Sequence, residues 1–325
     1  VYIEAMTTAA IDEPTVSSSI NRWAALEGRW TFSDGVANYN PPHVEAKAPH
    51  GIAVSNARMR RGTASTKVEL TDVINGCARL LFGLSSDRSS YFSAGIGGYG
   101  SAYVIDEFSG NGWQSVAQAG SCQNLESKRS YELVLTISGQ AVRLVVDGIQ
   151  VLEARLPHPL LGDQLGVFAW GVSDVAFRQT SFQSTLTRAF VVMQFAEPYD
   201  SLYREVIKPV AEQADFTVFR ADDVFRPGII LQDILRSITT SDVIIAEITP
   251  TNPNVYYELG YAHAIGKPTI LLAEKDADPA KHLPFDISGF RVIFYDDTIR
   301  GKRNVEIQLR QHLSNIREGR LEELL

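Results

Sequence analysis

The chain has 325 residues, 45% of them hydrophobic, and a formal net charge of −8. That length suggests about two domains, and the acidic balance argues against nucleic-acid binding as the main function, because phosphate contacts need clustered Lys and Arg. Two cysteines, Cys77 and Cys122, exclude a disulfide framework, and no run approaches the ~18 apolar residues of a membrane span.

Residues 1–22 read as a tail. They lack a basic stretch followed by an apolar one, so no signal peptide is read and the cytoplasm is the expected compartment. Met6 is a candidate native start behind VYIEA. From Trp23 the chain reads as short strands. STKVELTDV, ARLLFGLSS, YELVLTIS, AVRLVVDGIQVLEARL and LGVFAWGV alternate apolar and polar residues with period two, separated by Gly, Asn, Asp and Ser turns. Asp147-Gly148 sits where a type I′ hairpin turn is wanted. Cys77 reads as a small buried thiol, and ARMRRG (Ala57 to Gly62), the densest candidate for a local basic patch, reads more simply as a solvated strand end. Residues 23–183 are therefore expected to form a two-sheet antiparallel β-sandwich, joined by a linker at 184–188 to a second domain at 189–325.

The second domain has a different texture. AFVVMQF is continuously apolar, PYDSLYREVIKPVAEQA has helical periodicity, and FTVFRA is a second strand. GIILQDILRSI is a helix with Ile230, Ile234 and Ile238 on one stripe. DVIIAEI, TILLAE and RVIFYD supply strands three to five, with a helix at Asn254 to Ile265 and a closing helix at NVEIQLRQHLSNIREG. Strands apolar on both faces that alternate with helices predict an α/β, flavodoxin-like, five-stranded parallel sheet in order 2-1-3-4-5.

Such sheets bind ligands beyond the carboxyl ends of their strands, where the order reverses. Here that crevice lies between strands one and three. Strand one ends at Met193-Gln194-Phe195, strand two at Asp222 and Asp223, and strand three at Glu247. Asn252 is the expected helix cap, with Pro253 in the first turn. Glu258 follows one turn later on the face of Asn254 and Tyr261, an acid among Tyr256, Tyr257 and Tyr261. Gly260 and Ala264 are small, so this helix is expected to pack closely on its neighbours. Asp242 reads as a turn residue, and His263 lies on another helix face.

The stretch YELGYAHAIGKP resembles the signature of the nucleoside 2-deoxyribosyltransferase group, Glu-hydrophobic-Gly-Tyr-Ala followed by Gly-Lys-Pro. The wider frame, VVMQF, RADD, DVIIAEIT, NPNVYYELGYAHAIGKP and LPFD, looks like the TIR-like nucleotide-binding proteins of bacteria, over about Ala189 to Arg317. The resemblance implies that Glu258 attacks or stabilises C1′ of a ribosyl group while the N-glycosidic bond breaks. Substrate contacts are expected from Gln194, Phe195, Asp222, Asp223, Glu247, Asn252, Asn254 and Tyr257. Asp222, Asp223 or Glu247 would protonate a leaving base or hold ribose hydroxyls. Two positions depart from the family: Glu247 where Asp is usual, and Gln194 where Pro is usual.

The sandwich resembles the concanavalin A-like, laminin-G-type jelly rolls through YFSAGIGGYGSAYVI, YELVLTISGQAVRLVVDG and LLGDQLGVFAWGVSDVAFRQTSF. Such domains often bind glycans, and Trp113, Tyr99 and Tyr103 are candidates to stack on a sugar or simply core residues. The close acid pair of the family's hydrolases is not found. Three functions stay open. One is an intracellular effector that cleaves NAD or a related nucleotide, with the sandwich as sensing or assembly module, as in TIR-like antiviral fusions. The second is a salvage ribosyl hydrolase or transferase, and the third a non-catalytic receptor for a nucleotide signal. NAD or a nucleotide is expected as substrate rather than cofactor, and no metal is called for. Self-association through the α/β domain is expected, with an unidentified ligand or protein at the sandwich and no membrane partner.

Overall fold

A computed structural model of the chain describes residues 15–20, 22–41, 49–110, 112–223, 230–249, 252–275, 287 and 289–317. Met6, most of the expected tail and the LPFD stretch lie outside the described residues. Among the described residues sixteen strands come first: β1 (Thr15–Ser19), β2 (Trp23–Glu27), β3 (Trp30–Ser33), β4 (Val36–Tyr39), β5 (His50–Arg58), β6 (Gly62–Leu70), β7 (Gly76–Leu84), β8 (Tyr91–Gly97), β9 (Ser101–Ser109), β10 (Gly112–Ser121), β11 (Ser130–Ser138), β12 (Ala141–Val146), β13 (Ile149–Arg155), β14 (Gln164–Gly171), β15 (Val175–Thr185) and β16 (Thr187–Val192). The first fifteen form two antiparallel sheets. One runs β13-β12-β11-β6-β15-β4-β3, with β1 beside β15; the other runs β10-β9-β8-β7-β14-β5-β2.

Period-two alternation builds this sandwich. Leu133, Leu135 and Ile137 of β11 and Val142, Leu144 and Val146 of β12 point between the sheets, where they meet Phe82, Phe92 and Phe177. The β12–β13 turn has positive φ at both central residues, 49° at Asp147 and 79° at Gly148, and pairs Val146 with Ile149, as a two-residue type I′ hairpin requires. The Cys77 thiol is buried. Arg79 and Asp106 form a buried ion pair within the second sheet.

The sandwich extends beyond the expected limits at both ends. β1 lies inside the segment read as a tail and pairs along its length with β15. At the other end β15 continues to Thr185 and β16 starts at Thr187, so strand ends occupy the expected linker and Leu186 alone separates them. Periodicity fades early because β15 carries a bulge: Gln179 has φ 52° and the register shifts between Arg178 and Ser181.

In the second half, β16 leads into α1 (Tyr199–Leu202), which continues through a π-helical turn (Tyr203–Ile207) into α2 (Lys208–Gln213). β17 (Phe216–Arg220), α3 (Ile230–Thr240), β18 (Val243–Glu247), α4 (Pro253–Ala264), β19 (Thr269–Glu274), β20 (Val292–Tyr295) and α5 (Ile299–Arg317) follow. The parallel sheet has the order β17-β16-β18-β19-β20, the predicted 2-1-3-4-5. Its two faces carry separate cores. Ala189, Val191, Val243 and Ile245 pack under α1, α2 and α5, while Phe190, Val192, Ile244 and Ala246 pack under α3 and α4. No hydrophobic cluster among the described residues mixes the two halves. Among the described residues no helix is long and apolar enough to cross a membrane.

Candidate functional site

Helix α4 starts as its sequence dictates. Asn252 has extended backbone and its side chain accepts a hydrogen bond from the Asn254 amide at 3.0 Å, with Pro253 at the first helical position. Val255, Leu259 and Ala262 form the buried face against the sheet. Gly260 and Ala264 are exposed, and a Cβ added at Gly260 would meet nothing within 4 Å. The expected close packing through small residues is therefore absent: those two positions fall on the solvent side of the packed stripe.

The other edge of α4 opens onto a cleft of about 640 Å³. Its floor is the end of β16 from Val191 to Phe195, with Ala221 and Asp222 after β17; Leu231 and Ile234 of α3 form one wall, and Asn254, Tyr257 and Glu258 of α4 the other. Gln194, Phe195, Asp222, Asn252, Asn254, Tyr257 and Glu258 thus come together as the strand order requires. Phe195 and Tyr257 stay 53% and 56% exposed, so two aromatic rings present open surface at the mouth. Glu258 is half-buried and has no hydrogen-bond or ion-pair partner among the described residues; burial pushes its carboxyl up to about 7.

Asp222 and Asp223 are committed elsewhere. The Arg220 guanidinium, 1% exposed, donates from Nε to Asp222 Oδ1 at 2.6 Å and from Nη2 to Asp222 Oδ2. It also pairs with Asp200 Oδ1 at 2.7 Å and lies between the rings of Tyr203 and Phe195, 4.5 Å and 4.8 Å from their centroids. Asp222 therefore reaches the cleft as a bidentate partner of arginine. Asp223 does not line the cleft: its Oδ2 accepts from Tyr203 Oη at 2.6 Å and from the Arg220 amide at 3.0 Å.

Glu247 is also outside the cleft. Alternation along β18 puts it on the side of Val243 and Ile245, across the sheet from α4. There it is 1% exposed, accepts from Tyr295 Oη at 3.1 Å and from the Thr249 amide at 3.0 Å, and is raised to about 8 by burial. Glutamate at this position reaches Tyr295 rather than the cleft. His263 stacks on Phe290 with ring centroids 4.3 Å apart, and Asp242 accepts from the Arg188 amide at 2.8 Å. Among the described residues, no group of three or more His, Cys, Asp or Glu side chains could hold a metal ion. Sequence reading missed Arg220. Its signal was a lone arginine closing the apolar strand FTVFR immediately before two aspartates.

No protein-family model matches the chain, and no curated protein does. Solved structures match about half of it. A carbohydrate-binding module from Bacillus subtilis is 14% identical over 50% of this chain and 96% of its own, with TM-score 0.42. A Bacillus subtilis protein of unknown function with a galectin-like fold is 12% identical over 51% of this chain and 94% of its own, TM-score 0.40. A beta-glucanase from Bacillus licheniformis is 10% identical over 53% and 98%, TM-score 0.39. The likeness is one of β-sandwich fold, in the N-terminal half.

That sandwich carries its own recess of about 420 Å³, lined by Trp113, Phe168, Trp170, Tyr99, Arg79 and Cys77 among others. Of the three aromatics weighed as sugar platforms, Trp113 and Tyr99 line it, whereas Tyr103 packs against the inter-sheet core. Trp113 is itself held by Phe168 and Tyr91 at 5.0 Å and 5.7 Å, and Tyr99 is 63% exposed above the Arg79 guanidinium.

Proposed function

We propose that the α/β domain is a TIR-like, nucleoside deoxyribosyltransferase-like N-glycosidase acting on a nucleotide, NAD first, with Glu258 as the carboxylate that faces C1′. The observation that supports it is a half-buried carboxylate, without a hydrogen-bond or ion-pair partner among the described residues, in a cleft lined by amides and exposed aromatic rings, at the point where strand order reverses. The YELGYAHAIGKP resemblance agrees with that placement. In this reading the C1′–N bond breaks with its electron pair passing to the pyridinium nitrogen, so nicotinamide leaves neutral and no acid is needed. Positive charge then grows on the sugar, Glu258 stabilises or captures it, and water adds at C1′ with loss of a proton. Tyr257 and Phe195, which line the cleft, would stack on a base in this reading, and Gln194, Asn252 and Asn254 would bind ribose or phosphate oxygens.

A carboxylate that stabilises cationic charge must be ionised. Because burial raises Glu258 to about 7, kcat/KM should climb with pH through neutrality and level off above it. A rate that instead falls across that range would make Glu258 a proton donor and overturn its role as stabiliser.

The sandwich is the sensing or assembly module in this reading, and self-association of the α/β domain completes the open cleft. The test is chromatography of NAD, nucleosides and nucleoside monophosphates after incubation with the full chain, from nanomolar to tens of micromolar protein. Nicotinamide release that rises faster than linearly with protein is expected. Strict linearity with unchanged mass by light scattering removes the assembly step. Base release from nucleosides or monophosphates alone moves the reading to salvage. Saturable thermal stabilisation without turnover makes the cleft a receptor site.

A further inference from the structure

The Gly-Lys-Pro turn after α4 is part of a joint between the two halves. Gly266, at φ 65°, closes α4: the Lys267 amide donates to Ala262 O and the Gly266 amide to His263 O, both at 2.9 Å. Helix α3 ends beside it, and its last carbonyls have no intrahelical partners. Lys267 Nζ donates to Thr239 O at 3.0 Å and Ser241 O at 2.7 Å. Arg61 Nη1, from the sandwich, donates to Thr240 O at 2.6 Å. The two cations also complement the negative end of the helix dipole.

Gln140, in the β11–β12 turn of the sandwich, contacts both helices. Its Nε2 donates to Ile265 O at the end of α4 at 2.8 Å, and its amide donates to Thr239 O at the end of α3 at 3.4 Å. Gln140 is 0% exposed. The preceding Gly139 has φ 61°, and a Cβ there would lie 2.6 Å from Ser241 O and 2.9 Å from Thr239 O, so the turn sits as close as glycine permits. Simple adhesion would be served better by an apolar side chain, because the buried Gln140 Oε1 has no hydrogen-bond partner among the described residues. What the amide adds is direction.

The same two helices carry the cleft at their other ends, Leu231 and Ile234 on α3 and Asn254, Tyr257 and Glu258 on α4. A 12-residue helix spans ~18 Å, and the pair also meets near its base, where Thr239 Oγ1 and Tyr261 Oη are 3.4 Å apart. We propose that Gln140 is a positioning residue for the α/β cleft: by holding the C-terminal ends of α3 and α4 together it sets their separation, and with it the place of Glu258 against the end of β16. The catalytic consequence rests on the N-glycosidase reading; the positioning itself does not.

The test is hydrogen exchange on the full-length chain carrying Gln140→Leu, which keeps side-chain size and removes the donor. Amides of Tyr256 to Leu259, in the half of α4 away from the substitution, should exchange about tenfold faster, while β12 and β16 amides keep their protection. If N-glycosidase activity is present, kcat should fall with KM little changed. Faster exchange confined to Ile265–Lys267 and the β11–β12 turn, or none, overturns the proposal. Should Gln140→Leu fail to fold, Gln140→Asn, one methylene too short to reach Ile265 O, is read by the same criterion. A wild-type chain without turnover would sink the enzymatic reading yet leave the exchange result decisive here. An active chain whose α4 exchange and kcat ignore Gln140 would sink this proposal alone.

Discussion

Glu258→Gln should cut N-glycosidase turnover by ~100-fold or more, about 2.7 kcal/mol of transition-state stabilisation, without loss of the fold. Glutamine is nearly isosteric and no hydrogen bond among the described residues depends on the carboxylate charge, so the cleft should keep its shape. Stability offers an independent reading of the same substitution. Because the folded carboxyl titrates at about 7, above its ordinary 4.5, the folded state holds the proton more tightly than the unfolded chain. Its favourable contribution is complete below the unfolded value and is lost as pH rises towards 7. Glutamine removes that slope, leaving the variant more stable than wild type at pH 8 by about 1–2 kcal/mol once partial solvent screening is allowed for. Glu247, raised to about 8 by burial, should leave a residual slope of the same sign. Denaturant midpoints from pH 5 to 8 measure both effects. Near-normal turnover in a folded Glu258→Gln chain would dismiss this residue as the catalytic carboxylate.

Arg220→Ala should destabilise the α/β domain by about 2–4 kcal/mol and disorganise the cleft lip. One guanidinium holds Asp222 through two hydrogen bonds, pairs with Asp200 of α1, and is stacked between Tyr203 and Phe195. Removing it leaves two carboxylates facing each other and takes the support from under Phe195. The lower part of the range for a broken buried pair applies because Asp200 and Asp222 side chains are 23% and 35% exposed and water can partly solvate them. Adding Asp200→Asn and Asp222→Asn to Arg220→Ala should recover part of the loss, since the repulsion disappears with the charges. A single Arg220→Ala chain with an unchanged urea midpoint would show that the stacked arginine is incidental to the lip.

Local spacing makes much of this molecule legible in its sequence. Period-two runs and the Asp147-Gly148 turn place the sandwich strands, continuous apolar runs separated by helices place the parallel sheet, and right-handed crossovers make 2-1-3-4-5 its simplest order. The Asn252 cap sets where α4 begins, and counting one turn along brings Glu258 to the end of β16. Each of these depends on residues a few positions apart, whose geometry the chain itself imposes. The tertiary structure decided the rest. Strands buried on both faces conceal parity, so only the packed sheet shows that Glu247 faces Tyr295 while Glu258 faces the cleft. The partners of Arg220 come from α1, from the β16 end and from the residues after β17, and are gathered only when the crossovers close. Gln140 meets Ile265 across 125 residues of chain. Hydrogen-bond donors of that kind leave no periodic trace, because the helix end they satisfy lies in the other domain and is met only once the two have packed.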